Sequence, residues 1–179
     1  ISLASLVAEL ADLVDEIGLE RFVLYGTSFG GPTAAAYAAG NPERVESLIL
    51  DGTYARGSDI TAPVRRWLLV LALRFFPEMG FLLLSSATHP NPGRSAQQTL
   101  EMGEKMVTPK TAARFYALAF ATDVTKILGA LDMPTLVIHR ARSRSIPLRL
   151  GRDLARRIRN ARFVELAGEE HNSWEGDVD

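Results

Sequence analysis

The run Arg21-Phe22-Val23-Leu24-Tyr25-Gly26-Thr27-Ser28-Phe29-Gly30-Gly31-Pro32-Thr33-Ala34-Ala35-Ala36-Tyr37-Ala38-Ala39 decides how the chain is read. Residues 21–25 are β-prone, the Gly-rich stretch that follows is a tight turn, and the alanine-rich tail from Pro32 is a helix former. The order is strand, sharp turn, helix, with Ser28 in the turn. The pattern Gly26-x-Ser28-x-Gly30 alone arises by chance in roughly one chain in twenty of this length, so the flanking strand and helix carry the argument. A Ser raised on such a turn has a strained backbone and close neighbours, and Gly26, Gly30 and Gly31 bring no side chains to it. The N-terminus of the following helix offers the Phe29 N–H and a favourable dipole to a developing oxyanion. The other reading is a Gly-rich turn that only joins two elements or holds a phosphate, although neither G-x-G-x-x-G nor a Lys-Ser/Thr phosphate loop is present.

Upstream, Leu3, Leu6, Val7, Leu10, Leu13, Val14 and Ile17 recur at spacings of three and four and line one helix face, with Gly18 as its stop. Glu9, Asp12, Asp15 and Glu16 occupy the opposite face. Downstream, Gly40-Asn41-Pro42 ends the alanine-rich helix, residues 45–50 make a second apolar strand, and Asp51-Gly52 turns it. Strand, helix and strand of this length form a βαβ unit and hence a parallel sheet. From 53 to 131 strand-like alternation disappears. Helical runs at 67–76, 97–106 and 111–120, broken by His89-Pro90-Asn91-Pro92-Gly93, predict a helical cap or lid insertion. The sheet pattern returns with a strand at 135–139, a helix at about 148–158 and a last strand at 162–166 that leads through Ala167-Gly168-Glu169-Glu170 to His171. The fold class expected is α/β: a partial parallel sheet with flanking helices and a lid over 53–131, in one domain spanning 1–179.

The composition narrows the chemistry. An apolar share of 47% with 23% charged residues is that of an ordinary globular chain of 179 residues. Twenty basic residues nearly cancel 21 acidic ones, so net charge gives no pull toward nucleic acid, anionic lipid or acidic substrates. With no Cys there is no disulfide, thiolate ligand or Cys nucleophile, and three His at 89, 139 and 171 show no metal-ligand spacing. Residues 67–84 are apolar but interrupted by Arg74, Pro77 and Glu78, which predicts two short helices and no membrane span. The absence of Cys fits a cytoplasmic protein, and the chain starts at Ile1 without a Met or a signal pattern, so the expectation is that something upstream is missing.

His171 follows the last strand in a polar loop, far downstream of Ser28, in the order nucleophile then base, and is the candidate general base. His139, at a strand end, and His89, in the breaker, are read as non-catalytic. Arg140, Arg142, Arg144, Arg149, Arg152, Arg156, Arg157, Arg159 and Arg162 make the segment after the third strand basic. Without interleaved stacking aromatics they read as a solvated face with local ion pairs, not as a nucleic-acid surface.

On these residues the chain resembles the α/β-hydrolase superfamily over essentially its whole length. The shared stretches are Gly26-Thr27-Ser28-Phe29-Gly30-Gly31, Asn41-Pro42-Glu43-Arg44-Val45, Met133-Pro134-Thr135-Leu136-Val137-Ile138-His139, and 161–166 with His171. More narrowly it looks like the hydrolase-like domains attached to bacterial adenylate cyclases and helix-turn-helix regulators, on His139-Arg140, Pro147, Gly151-Arg152-Asp153-Leu154-Ala155 and His171-Asn172-Ser173-Trp174-Glu175-Gly176-Asp177. The resemblance implies a C-terminal part of such a domain, with a second oxyanion N–H supplied from a loop after an earlier strand. It also implies an Asp four residues beyond His139, where this chain has Ser143 between Arg142 and Arg144. Some members of the family supply the acid from the end of the strand after the nucleophile strand, and Asp51 is the candidate at that place. A turn Asp before Gly52 is its other reading.

The activity expected is hydrolysis of an ester-like acyl substrate by Ser28 and His171, with Phe29 N–H at the oxyanion, a small-molecule substrate or ligand as partner, and no cofactor or metal. A decayed ligand-sensing or interaction domain of a regulator, and an incomplete product that does not fold alone, are the alternatives.

Overall fold

The computed structural model describes residues 1–88, 107–171 and 173. The expected helix at 97–106, the 89–93 breaker with His89, and Asn172 and 174–177 from the narrower resemblance lie outside the described residues.

Helix α1 (Leu3–Glu16) begins at a reciprocal cap, in which Ser5 N–H donates to Ser2 Oγ at 3.0 Å and Ser2 N–H to Ser5 Oγ at 2.9 Å. It ends where Gly18 takes a φ of +69°, as the stop residue requires. Val14 is buried, while Leu13 and Ile17, expected on the buried stripe, stand exposed; α1 packs against the next helix beside an edge strand, where less of its face is covered. Strand β1 (Phe22–Thr27), helix α2 (Gly30–Gly40) and strand β2 (Val45–Asp51) complete the βαβ unit, with parallel pairing from Phe22↔Val45 to Thr27↔Asp51. Helix α2 lies close on the sheet because Ala34, Ala35 and Ala38 are small, and its Tyr37 fills the space beside Phe22.

Three helices follow, α3 (Pro63–Phe75), α4 (Pro77–Thr88) and α5 (Pro109–Ala121), each with a proline in its first turn, where the missing N–H is harmless. They agree with the helical pattern at 67–84 and 111–120 and share a small apolar cluster of Leu73, Phe81, Ala112 and Ala113. Gly80 is needed where α3 and α4 cross, since a Cβ there would meet the Leu73 backbone at 2.7 Å. Val124, Leu128 and Leu131, further along the chain, join the main core instead.

Strand β3 (Thr135–Arg140), helix α6 (Leu148–Arg157) and strand β4 (Ala161–Leu166) finish the chain, and the described sheet is parallel throughout in the order β1-β2-β3-β4. Leu48, Leu50, Val137 and Leu154 are nearly inaccessible in the core of the sheet and its helices; truncating any one of the three leucines to Ala would cost about 2–5 kcal/mol. At the β1 edge Val23 and Tyr25 are exposed. All four strands point the same way, so the loops at their C-terminal ends gather Ser28, Asp51, Ser143 and His171 at one end of the sheet.

Candidate active site

Ser28 is the only described non-glycine residue with positive φ, at 51°. That strain is held from several sides. Its N–H donates to Asp51 O at 3.0 Å, its C=O accepts from Gly31 N–H at 3.2 Å, and Thr53 Oγ1 donates to the same carbonyl at 2.6 Å. Two glycines are sterically demanded: a Cβ on Gly26 would come 2.6 Å from the Ala34 methyl, and one on Gly31 would come 2.1 Å from Thr53 Oγ1. Gly30 is different. Nothing lies within 4 Å of a Cβ built there, so of the three glycines expected to be required for close packing only Gly26 and Gly31 are, and the expectation for Gly30 is corrected.

His171, only 7% exposed, reaches back across the chain to set its Nε2 2.8 Å from Ser28 Oγ. Its backbone and ring pack against Gly52, whose φ of +54° keeps the turn after β2 open: a Cβ there would lie 3.1 Å from His171 O and 3.4 Å from Cε1. Phe29 caps α2, its N–H at the helix N-terminus, and its ring packs edge-on against Tyr54, Phe115 and Tyr116. An imidazole bonded to a strained hydroxyl at a helix N-terminus can withdraw the hydroxyl proton and stabilise an adjacent oxyanion.

Asp51 is 1% exposed and hydrogen-bonded, which sets it apart from an exposed turn residue. Its Oδ2 accepts from Tyr25 Oη at 2.7 Å and from Ser173 Oγ, while Oδ1 is buried with no hydrogen-bond partner among the described residues. Although the residue as a whole is exposed, partial desolvation of its hydroxyl first, and then the bond to Asp51, push the Tyr25 pKa up to about 12, so it remains a donor through the neutral range. Ser143 is also buried and its Oγ finds no hydrogen-bond partner among the described residues. Arg142 and Arg144 on either side of it reach Glu169 at 3.4 and 3.1 Å.

His139 is fully buried with Nε2 2.8 Å from Ile146 O, a carbonyl to which it can only donate, and burial lowers its pKa. It serves packing against α6, where a Cβ on Gly151 would come 2.5 Å from its Nδ1. The basic segment divides. Arg152 and Arg157 make exposed ion pairs with Glu165 and Asp153, as a solvated face should. Arg140 does not belong with them: it is 3% exposed and donates from Nη1 to Ala167 O at 2.5 Å and from Nη2 to Ser173 O at 3.0 Å. Sequence reasoning missed Tyr25, Thr53, Arg140 and Ser173, each of which acts by tertiary contacts that no local pattern announces.

A cavity of about 550 Å³ runs from Phe29 toward the helices of 53–131, lined by Leu69, Leu84, Tyr116 and Phe120, with Arg65 and Arg144 on its wall. Its size and apolar lining suit a small organic molecule. Among the described residues there is no group of three or more His, Cys, Asp or Glu able to hold a metal ion, and no helix is long and apolar enough to cross a membrane.

Comparison with known proteins agrees with this architecture. The chain is 28% identical over 164 residues to a 2-hydroxy-6-oxononadienedioate/2-hydroxy-6-oxononatrienedioate hydrolase of Cupriavidus pinatubonensis, covering 86% of this chain and 57% of the relative. It is 30% identical over 174 residues to a 2-hydroxymuconate semialdehyde hydrolase of Pseudomonas putida, covering 90% of this chain and 60% of the relative. The chain thus spans under two thirds of the curated relatives it matches. Among solved structures, a hydrolase from Oleispira antarctica superposes with a TM-score of 0.86 at 13% identity, over 95% of this chain and 65% of that one. The family model described as alpha/beta hydrolase fold matches residues 1–177, and the chain belongs to that family.

Proposed function

We propose that the chain is a serine hydrolase of small acyl substrates. Ser28 Oγ attacks the acyl carbon while His171 Nε2 takes its proton; the carbonyl oxygen becomes an oxyanion at the Phe29 N–H. Collapse expels the leaving oxygen, which takes the proton from His171, and a water deprotonated by the same ring then hydrolyses the acyl-Ser28 ester. The observation that carries this reading is the 2.8 Å contact between His171 Nε2 and a Ser28 held at a φ of 51°. Asp51 is the proposed acid: a buried carboxylate one residue before the Gly52 that packs on the imidazole. Within the expected insertion 53–131, the helices α3, α4 and α5 are proposed as the lid that shapes the cavity, since Val124, Leu128 and Leu131 belong to the main core, and a cytoplasmic location accompanies the reading. The relatives named above are hydrolases of a dioate and of a semialdehyde; Arg65, on a mostly apolar wall, supports an acyl substrate that carries an anionic group. A panel of p-nitrophenyl esters of increasing chain length, with and without a terminal carboxylate, tests it. Turnover that vanishes in Ser28→Ala is expected; turnover retained in that variant overturns the assignment.

One observation favours a second reading. Ser143 stands where the family resemblance expects an acid and has no hydrogen-bond partner among the described residues, which suits a ligand-sensing domain of a regulator. On that reading small apolar acids bind the cavity while every ester in the panel is hydrolysed at the background rate.

A further inference from the structure

We infer that Arg140 is a positioning residue for His171, its buried guanidinium bonding the backbone on either side of the imidazole, at Ala167 and at Ser173. The inference rests on the proposed roles of Ser28 and His171.

The loop begins where β4 ends at Leu166 and is described as far as 171, with Ser173 beyond; none of it is helix or strand. Its start is registered on the neighbouring strand: Ala141 N–H donates to Leu166 O at 2.8 Å and Arg142 N–H to Gly168 O at 3.1 Å. Among the described residues, no backbone bond of this kind is found from Glu169 to Ser173. Arg140, paired with Leu166 at the last register position of β3, bridges the difference: Nη1 donates to Ala167 O on one limb and Nη2 to Ser173 O on the other, with His171 between them. A guanidinium presents several N–H donors in a rigid plane and stays charged when buried, so one side chain can fix two carbonyls where a lysine ammonium would satisfy them less definitely.

The surroundings are shaped for it. Gly168, at a φ of +109°, lies so close that a Cβ would come 2.6 Å from Nη1; the absent side chain is what lets the guanidinium reach Ala167 O. Ser173 is held a second time, because its Oγ donates to Asp51 Oδ2. The Glu170 carboxyl is held below its usual range by the backbone N–H groups of its own residue and of Glu169, and by the charges of Arg140 and Arg142. Arg140 thereby links the acid candidate, through Ser173, to the loop of the base. Because His171 reaches Ser28 at hydrogen-bond distance, a displacement of about 1 Å breaks the contact, and misplacement on that scale costs about 10²-fold in rate.

The test compares the parent protein with Arg140→Met, Arg140→Lys and Arg140→Ala. Amide hydrogen exchange of the peptide spanning 167–173 reads the clamp without reference to catalysis, and the rate of Ser28 labelling by a fluorophosphonate reads the base. In Arg140→Met, exchange in that peptide rises at least about tenfold while that of β3 and β4 is unchanged, and labelling falls about 10²-fold. Arg140→Lys falls between the two, and millimolar methylguanidinium restores part of the labelling rate in Arg140→Ala; rescue of this kind is not expected of a general loss of packing. If Arg140→Met fails to fold, the lysine variant and the rescue carry the result. Exchange that stays at the parent level in both Arg140→Met and Arg140→Lys overturns the clamp. Raised exchange with unchanged labelling overturns the positioning role. A parent that is not labelled at all overturns the hydrolase reading, and with it the positioning role, while exchange still decides whether Arg140 clamps the loop.

Discussion

The turn after β1 and the turn after β3 open at the same end of one parallel sheet, yet they are built on different terms. After β1 the backbone is over-determined: Ser28 sits at positive φ, Gly26 and Gly31 leave no room for a Cβ, and the elbow is bonded by Asp51 at the end of β2 and by Thr53 just beyond it. After β3 the corresponding place carries Ser143, buried but with its Oγ unbonded among the described residues, between two arginines that reach outward to Glu169. The contrast teaches that nucleophile geometry is written in the backbone, where substitution disturbs folding and chemistry together. The acid is only a side chain, and its duty can move to another strand end without altering the fold. On the proposed reading it has moved to Asp51.

The largest effect expected of that comparison is at Asp51. Asp51→Asn keeps the shape and an acceptor for Tyr25 but removes the charge, and kcat on a reactive ester should fall by about 10²–10⁴; a loss under about threefold means the acid has not moved to β2. Next comes Ser143→Asp. With Asp51 in place it should change kcat by less than about tenfold, since the new carboxylate meets Arg142 and Arg144, and a rise near 10³ in the parent would mean the acid position after β3 was simply vacant. A smaller and purely structural contrast lies within the elbow. Gly31→Ala should lower unfolding stability by about 1–3 kcal/mol through overpacking on Thr53, whereas Gly30→Ala should be neutral or stabilising by up to about 1 kcal/mol, as urea melts of the two would record. The smallest change is Tyr25→Phe, which removes a donor to Asp51 and should lower Tm by a few degrees at neutral pH. Because the Tyr25 pKa is raised to about 12 in the fold from 10.0, its contribution is complete below pH 10 and is lost as pH climbs toward 12. The gap between parent and variant should therefore close over that range; a gap that is constant with pH contradicts the bond.

What could be read from the chain alone depended on how local the cause was. The strand, turn and helix of 21–39 were legible because each element has its own pattern, and Ser28 follows from their order. His171 was legible from its place after the last strand. The local pattern expects the same packing role of Gly26, Gly30 and Gly31 and cannot separate Gly30 from the other two, because Cβ clearance at Gly31 depends on Thr53, 22 residues further along the chain. Arg140 was grouped with solvated arginines because composition cannot separate one buried guanidinium from its exposed neighbours; only the register of β3 with β4 brings it to the loop carbonyls. Tyr25 looked like an ordinary strand residue until its hydroxyl was found on Asp51.

The central claim is that Ser28 is a nucleophile activated by His171, and covalent capture tests it most directly. After incubation with a fluorophosphonate and proteolysis, mass spectrometry should find the adduct on the peptide containing Ser28 in the parent, none in Ser28→Ala, and labelling slowed by about 10³-fold or more in His171→Ala. Equal labelling of the parent and His171→Ala, or an adduct on any residue other than Ser28, would contradict the account.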